Sequence, residues 1–312
     1  MNLHKLKSFG FKALFWKFLF NYRSKYKLEF LQRFVVRQKH KAVKEALLNM
    51  LELNFDNYKT FSTAKPSNKV WYFWWDGVEN MPAICNKCLE SVKENVGEKN
   101  VNIIDKTNFT EFVSLSPTIK SKFEAGSIPI QQFSDILRVE LLKKHGGLWL
   151  DATILLASDL TNEMFGKLYT VKHGQTSEFV SNGAWSVFCI GGRQNHPLFE
   201  FLSDSLNQYF EKYDSLIDYF LMDYLISLAY ENIPCVKQDI NALPVNNPDI
   251  YFLERNRATE YNEFTFKNVV QNTKLFKLNW RSNTNNLREH TYLSHVLNSK
   301  LPTELANNQL QS

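Results

Sequence analysis

Phe133-Ser-Asp-Ile-Leu-Arg-Val-Glu-Leu-Leu-Lys-Lys-His-Gly-Gly-Leu-Trp-Leu-Asp-Ala-Thr153 is the stretch that decides how this chain reads. Phe133, Ile136, Leu137, Leu141 and Leu142 recur at three- and four-residue spacings, so Gln131 to His145 reads as an amphipathic helix. Gly146-Gly147 ends it, because glycine reaches the conformations that close a helix. Leu148 to Leu156 then reads as one buried strand, apolar except at Asp151 and Thr153. Asp135 and Arg138 stand three apart and share a helix face. Asp151 falls near the middle of the strand, where a carboxylate is costly unless it is paired or bound to a cation.

Upstream, Lys69-Val-Trp-Tyr-Phe-Trp-Trp75 closed by Asp76-Gly77 reads as a first buried strand. Pro82 starts a helix to about Val92, and Val101 to Asp105 gives a second strand. Asn108 is placed to cap a short helix, and Pro117 opens another towards Phe123. Before these, Arg37 to Leu53 has helical spacing and Thr60 to Asn68 reads as a linker. Downstream, Leu198 to Tyr209 and Leu216 to Ala229 read as helices, and Ile240 to Pro248 carries turn residues. Alternating strands and helices predict an α/β fold: a mostly parallel sheet with helices on both faces, binding its ligand at the carboxyl ends of the strands. The chain divides into a basic, aromatic helical region (1–60), a main domain (61–300) and a polar tail (301–312).

The chain has 312 residues, 44% of them hydrophobic, with 25 Phe, 13 Tyr and 7 Trp, which excludes a disordered protein. Its formal charge of +5 is unevenly spread, since residues 1–44 hold twelve Lys or Arg against the single acid Glu29. The remainder is acidic, so the basic footprint expected of a nucleic-acid-binding surface is missing from the main domain. No uninterrupted apolar run reaches the roughly 18 residues needed to span a bilayer. Met1 to Lys27 interleaves lysines and arginine with Phe9, Phe11, Leu14, Phe15, Trp16, Phe18, Leu19 and Phe20. That pattern fits a helix lying in an anionic membrane interface, and equally a helix packed on the core with a solvated basic face. Cys85, Cys88, Cys189 and Cys235 are too few and scattered for a disulfide framework, which points to a reducing, cytoplasmic setting. The Cys85–Cys88 spacing has no second pair to make a zinc site, so both read as helix residues.

The titratable residues of the central stretch suit a nucleotide-sugar donor. A carboxylate with a cation can neutralise a diphosphate, and an Asp beside an Arg can hold sugar hydroxyls from both hydrogen-bonding directions. Spacing alone leaves a second reading open, in which Asp135 caps the helix or pairs with Arg138 and Asp151 sits in a buried ion pair.

Ser134-Asp135-x-x-Arg138 followed by Gly146-Gly147-x-Trp149-x-Asp151 resembles the donor-site signature of the capsular polysaccharide synthesis proteins, the yeast-type α-mannosyltransferases with a DXD sugar-binding region and, more distantly, the clostridial glucosylating toxins. Val70 to Gly77 and Ile217 to Tyr224 look closest to the capsular branch, and the similarity runs from about Lys69 to Trp280. The resemblance implies a GT-A type nucleotide-sugar fold. It implies that Asp135 and Arg138 hold the donor sugar, that Ser134 and Trp149 belong to the donor site, and that Asp151 works on the metal–diphosphate side. Trp74 best matches the tryptophan that stacks on the base, leaving Trp71 and Trp75 to the core. The second acid of the DXD is Thr153 here, a weaker cation ligand, so a manganese or magnesium ion would rest on Asp151 and Thr153. Lys277-Leu-Asn-Trp-Arg-Ser282 resembles the C-terminal strand and loop that closes over the diphosphate, which makes Trp280 and Ser282 candidates. Asp223 faces the acceptor, or else is a paired or exposed acid of no catalytic role. His145 reads as the last-turn complement of a helix C-terminus.

The activity so implied is transfer of a sugar, with retention, from a nucleoside diphosphate donor, UDP-linked, to a glycan or lipid-linked glycan in cell-surface polysaccharide synthesis. Such an enzyme would work in the cytoplasm, peripherally at the inner face of the cell membrane. Two other readings keep the same residues: an effector glycosyltransferase that modifies protein, and a catalytically silent membrane-peripheral scaffold.

Overall fold

The computed structural model describes residues 8–22, 29–58, 64–174, 178–281 and 288–298. Two N-terminal helices, α1 (Phe11–Asn21) and α2 (Glu29–Met50), precede β1 (Val70–Phe73), α3 (Ala83–Val96) and β2 (Val101–Ile104). Then come α4 (Phe109–Phe112), α5 (Pro117–Glu124), α6 (Ile130–His145), β3 (Gly147–Leu150), β4 (Ile154–Leu156), β5 (Leu168–Thr170) and β6 (Cys189–Gly192). The second half adds α7 (Pro197–Lys212), α8 (Leu221–Asn232), α9 (Pro234–Ala242), α10 (Phe252–Arg255), α11 (Glu263–Asn272), β7 (Leu275–Lys277) and α12 (Tyr292–Asn298).

The main sheet has the order β2-β1-β3-β6-β5. Strands β2, β1 and β3 are parallel, and β6 runs antiparallel to both of its neighbours, so four of the five strands point one way. This is the predicted α/β class with a mostly parallel sheet. Alternation along each strand assigns the faces. Trp71, Phe73, Trp149, Leu168 and Ile190 enter one core with α6, α7 and α8, while Val70, Tyr72, Leu148, Leu150, Tyr169 and Cys189 enter another with Cys85, Leu89 and Val92 of α3. Helices therefore cover both faces. Close strand contact needs glycine at two points: a Cβ on Gly147, already at φ +98°, would lie 2.3 Å from the Lys69 carbonyl oxygen, and one on Gly191 would lie 2.3 Å from that of Gly147.

The chief departure from the sequence reading is that Leu148 to Leu156 is not one strand. The chain turns after β3, where the Ile154 N–H donates to the Asp151 carbonyl at 2.9 Å, and β4 leaves the main sheet to pair antiparallel with β7. Apolar content cannot mark such a break, because both pieces are buried. Asp151 consequently stands at the carboxyl end of β3 and not inside a strand. Smaller differences follow the same logic. Helix α8 begins at Leu221 and not Leu216, and α9, which starts at Pro234, runs on to Ala242 into the first residues of the Ile240 to Pro248 segment, whose later part alone is non-helical. Asn108 holds the N-cap position of α4 as expected, but its side chain makes no cap hydrogen bond: it accepts from the Asp105 N–H and donates to the Ile103 carbonyl. Strands β5 and β6 and helix α11 carried no sequence signal strong enough to predict them.

The N-terminal helices are built into the main core. Phe9, Ala13, Val43 and Leu47 are buried in the same cluster as α6 and α8. Lys39 on α2 is 3% exposed and its Nζ lies 3.0 Å from Asp218, itself 4% exposed, just before α8. The predicted helix Arg37 to Leu53 is the later part of α2. Residues 301–312, the expected polar tail, lie outside the described residues.

Candidate active site

Because β1 and β3 are parallel, Trp74 and Asp151 follow their last residues at the same edge of the sheet. Helix α6 joins β3 directly through Gly146, whose positive φ of +64° turns the chain back, so the N-terminal half of α6 lies over the carboxyl end of β3. That return brings Arg138 to Asp151.

Arg138 is 4% exposed and bridges two acids. Its Nη1 lies 2.9 Å from Asp135 Oδ1 and its Nη2 lies 3.0 Å from Asp151 Oδ1. The guanidinium also stacks over the Trp149 ring, 4.8 Å from its centroid, and Nη1 touches the Met222 sulfur at 3.4 Å. Trp149 Nε1 donates to Asp151 Oδ1 at 2.9 Å. On the other side, Lys277 Nζ donates to Asp151 Oδ2 at 2.9 Å and to Thr153 Oγ1 at 2.6 Å. Asp223, in the first turn of α8, accepts from Trp185 Nε1 at 3.1 Å.

These neighbours split the acids electrically. Burial works to protonate Asp151, but the charges of Lys277 and then Arg138 outweigh it and hold the carboxyl down at about 2. Burial pushes Asp135 up to about 6 against the pull of Arg138. Burial, followed by the nearby charge of Asp135, pushes Asp223 up to about 7. The site thus holds one permanent carboxylate flanked by two fixed cations, with two acids that exchange protons near neutrality. Such a set can hold polyhydroxyl groups through its carboxyls and a phosphate oxygen through its ammonium.

The sequence-derived residues fall into three groups. Asp135, Arg138, Asp151 and Thr153 form one bonded cluster, and both carboxylates are paired with Arg138, as the ion-pair reading held. Asp223 lies near enough to Asp135 for the two charges to interact. Trp74 and Trp280 meet edge-to-face at 5.8 Å, with Trp280 42% exposed, beside the same edge of the sheet. Trp71 and Trp75 are core residues: Trp71 is fully buried and donates to the Gly146 carbonyl, while Trp75 packs on Phe109, Phe123 and Phe133. Trp149, expected among the donor contacts, is 1% exposed in this structure, and its N–H donates to Asp151 and so helps to position that carboxylate. Ser134 is half-buried beside Asp135 on α6. Ser282 lies outside the described residues.

Other sequence readings resolve simply. His145 Nε2 meets the Phe112 carbonyl at 2.9 Å and takes no part in the cluster. Asp218, in the same segment as Asp223, is the acid paired with Lys39 of α2. Cys85 and Cys88 are buried free thiols on α3, and burial pushes the Cys85 thiol up to about 12. Among the described residues no group of three or more His, Cys, Asp or Glu could hold a metal ion. Lys277, the first residue of the matched strand-and-loop segment, has no role in the sequence reading. Its partners lie 126 and 124 positions earlier in the chain, so no local pattern links them.

The family model described as capsular polysaccharide synthesis protein matches residues 23–296. The chain belongs to the capsular polysaccharide synthesis family. The matched span contains every residue of the cluster, from Asp135 to Lys277. A protein of Acanthamoeba polyphaga mimivirus named "Uncharacterized glycosyltransferase L373" is 28% identical over 142 residues, 43% of this chain and 53% of that protein. The chain thus spans about half the length of the curated relative that it matches. The solved structure "PaToxG Glycosyltransferase" is similar with a TM-score of 0.41 and 15% identity, over 77% of this family member and 95% of that chain.

Proposed function

We propose that this protein is a glycosyltransferase that moves a sugar from a nucleoside diphosphate donor, UDP-linked, to a glycan or lipid-linked glycan during cell-surface polysaccharide synthesis, with retention of anomeric configuration. The observation that carries the reading is the Asp135–Arg138–Asp151–Lys277 cluster at the carboxyl edge of the sheet, with Trp74 and Trp280 beside it. Family membership and the name of the viral relative support the same class of activity.

In this reading the base stacks on Trp74, since a flat apolar face stacks on any nucleobase, and the exposed Trp280, set edge-to-face with Trp74, closes against the nucleotide from the side. Asp135 accepts hydrogen bonds from the donor sugar while Arg138 fixes that carboxylate in place. Lys277 and Asp151 lie on the diphosphate side, where negative charge grows as the glycosidic bond to the leaving group breaks. Asp223 lies on the acceptor side, at the start of α8. The chain's contribution is positioning and charge stabilisation, and no nucleophile is assigned.

The exposed rings of α1 and α2 favour peripheral membrane contact at the inner face of the cell membrane. Phe11, Phe15, Phe18, Tyr22, Phe30 and Phe34 are all exposed, in the region that carries twelve Lys or Arg. Rings entering an anionic interface with cations around them fit this surface. No helix among the described residues is long and apolar enough to cross a membrane.

The test is hydrolysis and transfer with a panel of nucleotide sugars, using Asp151→Asn as control. Turnover of one donor, lost in the variant, supports the reading; failure of every donor both to bind and to turn over sinks it. Flotation with phosphatidylserine vesicles tests the surface: Phe11→Ser/Phe18→Ser should reduce recovery, and equal recovery refutes membrane docking by these rings.

A further inference from the structure

DXD-type donor sites imply a divalent ion between two carboxylates and the diphosphate, and the residues here do not fit one. Thr153 replaces the second acid. Both oxygens of Asp151 are already engaged: Oδ1 by Arg138 and Trp149, Oδ2 by Lys277. The Thr153 hydroxyl accepts from Lys277 as well. An ammonium therefore bridges the Asp-x-Thr pair at the point a bridging cation would take, and a doubly charged ion placed there would meet a fixed like charge within contact distance.

The position of Lys277 is built by the backbone. It is the last residue of β7 and stands in register with Ile154 of β4. Its own N–H donates to the Ile250 carbonyl at 2.8 Å, and the next residue, Leu278, donates to the Thr153 carbonyl at 2.9 Å. Its side chain is 23% exposed and that of Asp151 28%, so the pair opens to solvent and to a ligand. Two of the ammonium hydrogens are directed to Asp151 and Thr153, and the ammonium also lies 5.3 Å from the Phe188 ring centre, a weak contact that a phosphate oxygen can replace.

We infer that Lys277 is the resident cation of this donor site: its ammonium, held by Asp151 and Thr153, binds the donor diphosphate in place of a divalent metal. The inference rests on the proposed nucleoside diphosphate donor. Arg138 cannot take this role, because it is 4% exposed and its two terminal nitrogens are committed to Asp135 and Asp151.

The experiment titrates UDP, GDP and uridine into the full chain by calorimetry, in chelator and again in millimolar manganese, while electron paramagnetic resonance follows the free manganese signal. The expected result is a diphosphate nucleotide that binds equally in both buffers and a manganese signal undiminished by protein. Lys277→Met should weaken that nucleotide about ten-fold or more while sparing uridine, and Lys277→Arg should retain most of the affinity. Wild-type affinity that rises about ten-fold with manganese, or stoichiometric loss of the free manganese signal, overturns the inference and leaves the donor reading standing. So does an unchanged Lys277→Met, or one that loses uridine equally. Wild-type protein that binds neither diphosphate in either buffer overturns the donor reading itself, and the inference with it.

Discussion

Arg138 Nη2 lies 3.0 Å from Asp151 Oδ1, a contact between a helix and the end of the strand that follows it, thirteen residues later. The same guanidinium holds Asp135 one turn earlier on its own helix. One buried cation thus fixes two carboxylates, and it does so with hydrogen bonds whose direction is set by a planar fork. The arrangement makes the cluster a folding element and, in the proposed reading, a ligand-facing surface as well, so substitutions in it have expected consequences of both kinds.

Asp151→Ala leaves Arg138 with one acid fewer and Lys277 without its carboxylate partner. Breaking a fully buried pair costs about 3–5 kcal/mol, and the 28% exposure of Asp151, with Asp135 still in place, brings the expected loss to about 2 kcal/mol. Asp151→Asn keeps the shape and an acceptor for Arg138 and Trp149, and should cost less. Both variants should lose donor turnover. Denaturant unfolding beside a hydrolysis assay checks this, and an Asp151→Asn with wild-type turnover would contradict it.

The raised acids predict a stability that falls with pH. Asp223 titrates at about 7 when folded and at its ordinary 3.8 when unfolded, so the folded state binds the extra proton between these values. Its favourable contribution is complete below the unfolded value and is lost as pH rises through about 7. Asp135 acts in the same direction up to about 6. Asp151 acts oppositely, its contribution being lost only as pH falls from 3.8 towards about 2. Melting temperature should therefore decline from about pH 4 to about pH 7 in the wild type. Asp223→Asn should flatten that decline, and a slope unchanged by the substitution would show that Asp223 does not set it.

Trp280→Ala should weaken nucleotide binding by about ten-fold, since in the proposed reading its exposed ring closes on the nucleotide stacked on Trp74 and an aromatic contact of this kind is worth about 1–3 kcal/mol. The fold should survive, because Trp280 is 42% exposed. Trp75→Ala should do the reverse. Its ring packs on Phe109, Phe123 and Phe133, and truncation in such a cluster costs about 3–5 kcal/mol. Paired binding titrations and thermal melts separate the two effects.

Lys39→Met strips the nearest cation from Asp218, which is 4% exposed, leaving Lys17 at 3.7 Å and the Phe220 N–H. A loss of about 3 kcal/mol is expected, visible as a melting temperature lower by several degrees. Undocking α2 from α8 should accompany it, seen as faster amide exchange in both helices. Wild-type stability in this variant would show that apolar packing alone attaches the N-terminal helices.

Local sequence was sufficient wherever the determining contacts are close along the chain. The apolar spacing of Phe133 to Leu142 and the glycine pair after His145 determined α6 and its exit. The β-branched and aromatic run Val70 to Phe73 determined β1, and the Asp135-x-x-Arg138 spacing placed both side chains on one helical face. Tertiary structure decided what no window contains. Ile154 to Leu156 is as apolar as Gly147 to Leu150, so only pairing with Leu275 to Lys277 shows that the strand breaks and that Asp151 stands at an edge. Trp149 looks like a surface ligand contact until the sheet buries its ring, and Lys277 has no meaning for Asp151 until β7 lies beside β4. The reason is physical: burial and strand pairing are properties of the folded chain, set by the free energy of the whole core, whereas spacing and turn chemistry act within a few residues.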